Sequence, residues 1–384
     1  MRGTRRKQRP DMPEIKPSPS ENPDAFFTTI LNALAQGKTL SSAEAEAAFG
    51  IIMDGTLPAE RVAAFLMGLR VRGEDAGEVL GAVTALRRRM IPVPQIPADT
   101  IDVCGTGGDN YGTLNVSTAV AFVLAALGVP VAKHGNRAVS SRAGASDVLQ
   151  ALGVPLLADP AELSRQLNLH KLVFLAAPHH HPAMRHAAPV RKALGIRTLF
   201  NLLGPMVNPA GVKHQLIGVF SAEWLNLVVD VRHRLGSERV WAVCGQPDGE
   251  TQGIDELTLA GPTRVVALEN GSKHSLVVQA EMSGLPYAPV SAIRGGDAQH
   301  NAQALEALLR GAHGAYRDTV LLNAACALHV AGRRSILKGL QIDPQAFREC
   351  VADVSRVLDN GAALAVLNGL RTSSSGTHAQ DMTG

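Results

Sequence analysis

From residue 100 onward, short β-rich runs alternate with helical stretches, and this alternation constrains the fold of the 384-residue chain more than any other feature. The runs are Ile101–Cys104, Val129–Ala132, Leu172–Leu175, Leu216–Phe220 and Val240–Cys244, and helical stretches such as Ser221–Leu235 separate them. Strands separated by helices need crossover connections, which implies an α/β architecture with a mostly parallel central sheet and helices on its faces. Before residue 100 no strand signal appears. Ser41-Ser-Ala-Glu44 reads as a capping box opening a helix to about Met53. Val62, Phe65, Leu66 and Leu69, then Val79, Val83, Leu86 and Met90, continue at helical spacing up to the Pro92/Pro94/Pro97 stretch. The chain returns to helix at Asn301–Leu309, at Tyr316–Val330, and where Phe347, Val351, Val354 and Leu358 share a face. Residues 24–98 therefore read as a small all-helical domain and 99–371 as a larger α/β domain with C-terminal helices. Residues 1–23 form a polar, proline-rich, disordered basic tail, and 372–384 a frayed one.

Composition narrows the class. With 46% apolar and 18% charged residues the chain can bury a core without disulfide support. Its longest apolar run, Ala119 to Ala132, holds 14 residues broken by Gly128 and Pro130, short of the roughly 20 that span a bilayer; no membrane partner is expected. Cys104, Cys244, Cys326 and Cys350 lie far apart with no CxxC pair, which suits a reduced cytoplasm better than a disulfide framework. The net charge of +3 divides unevenly: residues 1–20 carry +4 and the remainder −1. A nearly neutral body gives no support for nucleic-acid binding. The tail lacks an apolar stretch and is no secretory signal; Asp11, Glu14 and its prolines weaken an organellar address.

Gly105-Thr-Gly-Gly-Asp109 follows the first strand, and Asn115-Val-Ser-Thr118 then opens an apolar helix. Glycines let a backbone turn tightly against a ligand, and a helix N-terminus offers free N–H groups to an anion. Thr106, Thr113, Ser117 and Thr118 add hydroxyls. The loop is neither a Walker loop nor a dinucleotide fingerprint, so a phosphate cradle and a purely structural turn both remain open. A second loop, Lys133-His-Gly-Asn-Arg137 followed by Ser140-Ser-Arg-Ala-Gly144, favours the cradle. In a parallel sheet both loops leave the carboxyl ends of strands, where ligands bind. Asp255-Glu256 is a weak motif, a solvated turn or a pair of magnesium ligands; beside a phosphate site the second reading gains weight. Asp109 reaches towards the same ions. His179-His-His181-Pro, on an extended segment, would alternate in direction and so not converge on one metal; it reads as a loop lining a pocket. Arg191, on a helix starting near Pro182, is either an exposed helical arginine or a carboxylate clamp. No nucleophile constellation appears, so no residue is assigned as acid, base or covalent catalyst.

These strings, together with APHHHPAMRHAAPVRKALGIRTLFNLLGPMVNPA (177–210) and DEL (255–257), resemble the anthranilate phosphoribosyltransferases of tryptophan biosynthesis, over about residues 28–335. The resemblance implies a cytoplasmic homodimer with the fold of nucleoside phosphorylases and phosphoribosyltransferases. A segment near 185–203 would join the helical domain, and the active site would lie in the hinge cleft. It implies transfer of the phosphoribosyl group of phosphoribosyl pyrophosphate to the amine of anthranilate, with Mg2+, two ions per active site. By the same resemblance Gly105, Gly108, Asp109, Thr113, Asn115, Ser117, Thr118, Lys133, Asn136, Arg137, Ser140, Ser141 and Ala145 surround phosphoribosyl pyrophosphate. Gly105, His134, Asn136, His181 and Arg191 meet anthranilate, and Ser117, Asp255 and Glu256 hold the metal. Two departures stand out. Ala145 replaces a common serine, leaving only a backbone contact there, and the loop Gln246–Gly253 is longer than usual.

Two other readings compete. A pyrimidine nucleoside phosphorylase shares the fold and a glycine-rich phosphate loop, but the KHGNR and HHHPAMRHAAPVRKALG strings favour an acceptor carrying a carboxylate. A non-catalytic nucleic-acid-binding relative should have lost these motifs and gained a basic surface; here the motifs are intact.

Overall fold

A computed structural model of the protein describes residues 19–137 and 142–372. Ser140 and Ser141, residues 1–18 of the basic tail and residues 373–384 lie outside the described residues.

Four helices come first: α1 (Pro23–Ala35), α2 (Ser42–Asp54), α3 (Ala59–Arg72) and α4 (Ala76–Arg87). The Ser41 box is present, its hydroxyl accepting from Glu44 N and the Glu44 carboxylate accepting from Ser41 N. Asp75 and Glu78 repeat the device at the start of α4. Gly81 lets α4 press on α2, because a methyl group there would lie 2.4 Å from the Ser42 carbonyl. Phe27, Phe49 and Phe65 fill the bundle, with ring centroids of neighbouring pairs 5.2–5.4 Å apart.

The larger unit runs β1 (Ile101–Gly105), α5 (Val116–Ala126), β2 (Val131–Gly135), α6 (Ala145–Ala151), α7 (Pro160–His170) and β3 (Leu172–Ala176). Next come the short helices α8 (Ala177–His180), α9 (Ala188–Leu194) and α10 (Phe200–Leu203), then β4 (His214–Gly218), α11 (Leu225–Arg234) and β5 (Arg239–Gly245). The chain ends with β6 (Thr263–Glu269), β7 (Ser272–Val278), α12 (Ala298–Leu309), α13 (Ala315–Val330), α14 (Pro344–Asp359) and α15 (Ala362–Thr372). The main sheet has seven strands in the order β3-β2-β1-β4-β5-β6-β7. Its first five strands are parallel, and β6 and β7 are antiparallel. Alternate side chains serve opposite faces. Ile101, Val103, Leu216, Trp241 and Val243 join the core under α5 and α12–α15, whereas Cys104, Ile217, Val240 and Ala242 join the core shared with α11 and the helical bundle.

Several boundaries differ from the sequence expectations. The second strand is Val131–Gly135 rather than Val129–Ala132, because Pro130 has no N–H to give a ladder; Lys133 and His134 thus belong to a strand, not a loop. The helix expected over Ser221–Leu235 is a single 3-10 turn, Ala222–Trp224, followed by α11. The hairpin β6–β7 was unforeseen, although Asn270-Gly271 with φ of 50° and 73° is the turn such a hairpin needs. His179 and His180 lie on a helical turn, not an extended segment. Helix α15 reaches Thr372, the first residue of the expected frayed tail.

The bundle holds one fully buried carboxylate, Glu78, which accepts from Leu40 N (2.9 Å) and Asp75 N (3.0 Å) and pairs with Arg72. Removing one partner of a buried pair leaves the other uncompensated. Glu78→Ala is expected to lower the unfolding free energy by about 3 kcal/mol, against about 1 kcal/mol for Ser41→Ala at an exposed cap. Urea denaturation followed by circular dichroism checks the ranking; equal losses would contradict it.

Candidate active site

Strand β1 ends at Gly105, and the GTGGD turn crosses the sheet rim towards α5. Gly107 and Gly108 have φ of 67° and 82°, a left-handed conformation that glycine adopts freely. The backbone N–H of Gly108 has no hydrogen-bond partner among the described residues. Neighbouring strand β2 delivers the second loop to the same rim, since β1 and β2 pair in parallel. Asn136 is exposed there; its side-chain oxygen accepts from Arg137 N (2.8 Å) and its carbonyl from Ser146 N (3.3 Å). Ala145 opens α6, its methyl 3.3 Å from where a Gly135 methyl would sit. So the two loops lie side by side.

The Asp255-Glu256 pair arrives from across the sheet. Its chain segment passes so close to β1 and β4 that a methyl group on Gly218 would lie 1.6 Å from the Asp255 carbonyl oxygen, and one on Gly105 2.3 Å from the Asp255 carboxylate. The contact exists because both positions are glycine. Asp255 Oδ2 accepts from Gly107 N at 2.7 Å, and Glu256 Oε1 from Ser117 N, in the first turn of α5, at 3.3 Å. Asn323 of α13 pins the next residue, accepting from Leu257 N (3.0 Å) and donating to its carbonyl (2.8 Å). Asp255 and Glu256 are thereby gathered under one glycine turn, with Asp109, at the end of that turn, close enough to Asp255 to act on it. Burial, then Asp109 and Glu256, push the Asp255 carboxyl well above its ordinary range. Burial likewise raises Glu256 to about 7, against the pull of Lys133.

Lys133 points inward, its ammonium donating to the Val103 carbonyl (2.6 Å) and to Ser117 Oγ (3.1 Å). Asn115 caps α5 and is held from behind, its Oδ1 by Asn301 (2.9 Å) and its carbonyl by the Tyr316 hydroxyl (3.1 Å). Thr118 is buried, and Thr113 bridges to Arg294. The 246–253 loop clasps the glycine turn: Tyr111 donates to the Gln252 carbonyl at 2.7 Å and the Gln252 amide to the Asp109 carbonyl. Asn301, Tyr316, Asn323, Gln252 and Tyr111 escaped the sequence reading. They lie far along the chain and act through ordinary polar groups, with no local motif to mark them.

The opposite wall is built on His134. Its Nδ1 lies 3.0 Å from the Gly204 carbonyl, an acceptor only, so the proton sits on Nδ1 and leaves Nε2 as an acceptor. His181 Nε2, 3.3 Å away, is the donor to it. The neighbouring imidazoles turn elsewhere, His179 to the Leu157 carbonyl and His180 to that of Ile91. Burial lowers His134 to about 4 and His181 to about 3, so both rings are neutral at pH 7. Arg191 is on α9 rather than on a helix from Pro182, half-buried with its guanidinium 5.2 Å above the Phe200 ring. It makes no hydrogen bond to His134 or Asn136; it and His134 are tied to the same run of chain, residues 200–204.

The chain matches two family models end to end: a glycosyl transferase family helical bundle domain over residues 28–90 and a glycosyl transferase family a/b domain over residues 97–364. It is 58% identical over 349 residues to the anthranilate phosphoribosyltransferase of Gluconobacter oxydans, covering 91% of this chain and 96% of that one. Against the enzyme of that name from Rhodopseudomonas palustris it is 49% identical over 344 residues, covering 90% and 97%. Among solved structures, anthranilate phosphoribosyltransferase from Thermus thermophilus superposes with a TM-score of 0.79 at 38% identity, covering 89% and 98%. The Saccharomyces cerevisiae protein in complex with PRPP and Mg gives 0.81 at 26% identity, covering 92% and 98%.

The neutral histidines have a measurable consequence. An unfolded histidine takes up its proton near pH 6.5, whereas His134 in the fold does so only near 4. Between those values the unfolded state binds more protons, so stability falls as the pH falls, by about 1.4 kcal/mol per pH unit for this group, and levels off below its folded pKa. In urea titrations between pH 7 and 5, His134→Asn is expected to flatten the acid slope by that amount. Parallel slopes for the two proteins would contradict the assignment.

Proposed function

The chain belongs to the anthranilate phosphoribosyltransferase family, and from that premise we propose how its residues divide the work. It is an Mg2+-dependent enzyme that transfers the phosphoribosyl group of 5-phosphoribosyl 1-pyrophosphate to the amine of anthranilate, releasing pyrophosphate, within tryptophan biosynthesis. The observation that carries the site assignment is the pair of hydrogen bonds from Gly107 N to Asp255 and from Ser117 N to Glu256, which joins the acids to both anion-cradling elements.

In this reading the glycine turn, with Gly105, Gly108, Asp109, Thr113, Asn115, Ser117 and Thr118, takes one end of the diphosphorylated sugar. The second loop, with Asn136, Arg137, Ser140, Ser141 and the backbone of Ala145, takes the other. Lys133 works from beneath, holding Ser117 and bringing positive charge towards Glu256. Gly105, His134, Asn136, His181 and Arg191 receive anthranilate; the two neutral imidazoles spend their N–H groups on Gly204 and on each other and so form an uncharged wall, while Arg191 brings the charge for the carboxylate.

The donor set fits Mg2+. Carboxylates forced together in a half-buried site, with raised pKa values, are what a divalent cation relieves. Mg2+ takes one or two carboxylates and completes its shell with substrate phosphates and water, and Asp255 and Glu256 are two carboxylates beside the glycine turn. Ser117, Asp255 and Glu256 would hold it, with two ions per site. Bound there, the metal supplies charge neutralisation to the leaving pyrophosphate. The protein's own task is positional. The aromatic amine attacks through a free lone pair, so no side chain need remove a proton first; the backbone donors and the closed cleft align it and exclude water.

The helical unit, residues 24–98 completed by the segment near 185–203, is one side of that cleft; the edge-to-face contact of Phe49 with Phe200, centroids 5.7 Å apart, supports the division. A homodimer belongs to the same reading, supported by the family resemblance. Four buried, unpaired thiols support the cytoplasm, where such a state is maintained.

Anthranilate fluorescence tests the reaction: the signal should fall only when phosphoribosyl pyrophosphate and Mg2+ are both present. Changing Asp255→Asn and Glu256→Gln together should cut turnover by at least about 10²-fold and raise the Mg2+ concentration needed for half-maximal rate. An unchanged Mg2+ dependence would contradict the metal assignment.

A further inference from the structure

Arg197 lies in the short connection between α9 and α10 and plays no part in the assignments above. Its guanidinium carbon stands 4.4 Å over the ring of Phe220, just beyond the end of β4. A methyl group on Gly108 would be 3.6 Å from Arg197 Nε. The side chain therefore runs from the hinge segment to the glycine turn, ending beside Gly108, whose main-chain N–H has no partner among the described residues.

Two features show that this charge is held for something else. Arg197 makes no ion pair with any described residue, although Asp109, Asp255 and Glu256 are gathered at the same turn. Phe220 holds the guanidinium by a cation–π contact, which uses none of its five N–H donors. A guanidinium with its donors unspent matches two oxygens of a phosphate.

We propose that Arg197 is a catalytic residue that binds the pyrophosphate group and stabilises it as it departs. The inference rests on the phosphoribosyl transfer proposed above. In that reaction the amine lone pair forms the bond to the anomeric carbon. The bond from that carbon to the pyrophosphate oxygen breaks, its electron pair staying with the oxygen, and the surplus amine proton passes to solvent. Arg197 exchanges no proton. It meets charge that grows on the leaving oxygens, so it contributes more in the transition state than in the ground state. Because it rides on the segment linked to the helical bundle, it reaches the pyrophosphate only when that segment is seated on Phe220.

The test compares wild type, Arg197→Gln, Arg197→Lys and Phe220→Leu, each checked for folding by thermal melting. Both reaction directions are measured, the reverse with N-(5-phosphoribosyl)anthranilate and pyrophosphate. Arg197→Gln should lose about 10²-fold in kcat and raise the KM for pyrophosphate in the reverse direction, with the KM for anthranilate within twofold of wild type. Arg197→Lys should recover part of kcat, since it keeps the charge but not the planar fork; should the Gln variant fail to fold, Arg197→Lys carries the test through the same pyrophosphate KM. Phe220→Leu should fall between wild type and Arg197→Gln. A folded Arg197 variant with kcat and pyrophosphate KM both within twofold of wild type overturns the proposal, as does a kcat loss that leaves the pyrophosphate KM unmoved. An inactive wild type would instead overturn the reaction itself.

Discussion

The close passage of the Asp255 segment over the ends of β1 and β4 is the contact on which the site depends. An acidic side chain is brought to within 2.7 Å of a main-chain amide in the glycine turn, and the backbone that carries it leaves no room for a Cβ on Gly218 or Gly105. Asn323 fixes the same segment from below. The glycines of this chain thus do two separate things. Gly107 and Gly108 supply a backbone shape, whereas Gly105 and Gly218 supply space, and only the second kind lets the carboxylates share a rim with the anion cradle. Burial and the neighbouring carboxylates raise the pKa of both acids, so holding them charged there costs free energy; under the proposed assignment a cation and a polyphosphate arriving together recover it.

A buried polar network ties this rim to the hinge. Asp102, inside β1, accepts from His134 N at 3.2 Å through one oxygen and from the Gln215 amide at 3.0 Å through the other. Gln215 also donates to the Pro205 carbonyl at 2.6 Å, one residue beyond the Gly204 carbonyl that sets the tautomer of His134. Strands β1, β2 and β4 and the segment leading from α10 therefore meet on one carboxylate. In a low-dielectric interior such a network is stable only when its members keep their partners, so the orientation of His134 is coupled to the position of the hinge. The proposed anthranilate wall and the domain connection are parts of one structure.

Much of this was legible in the sequence because it rests on local rules. Alternating strands and helices require parallel crossovers, so two loops after neighbouring strands had to share a rim; Ser41 and Glu44 had to cap a helix. The misreadings also have local causes. Pro130 puts the start of β2 at Val131 and makes Lys133 and His134 strand residues, with the Lys133 ammonium on Val103 and Ser117. The prolines flanking His179–His181 allowed a helical turn where an extended loop was expected. What stayed hidden was long-range. Nothing near Arg197, Gln252 or Asn323 in the sequence says that they meet Phe220, Asp109 and Leu257, because those meetings are made by the packing of the whole sheet.

In the proposed site the acid pair and the glycine turn bind a metal ion fully only with the diphosphorylated sugar in place. Calorimetric titration of Mg2+ into the protein, with and without saturating phosphoribosyl pyrophosphate and corrected for Mg2+ binding to the free sugar, measures that coupling directly. The prediction is weak binding to the protein alone and at least about tenfold tighter binding with the sugar present, equivalent to about 1.4 kcal/mol of coupling. Equal Mg2+ affinity in the two titrations would contradict it.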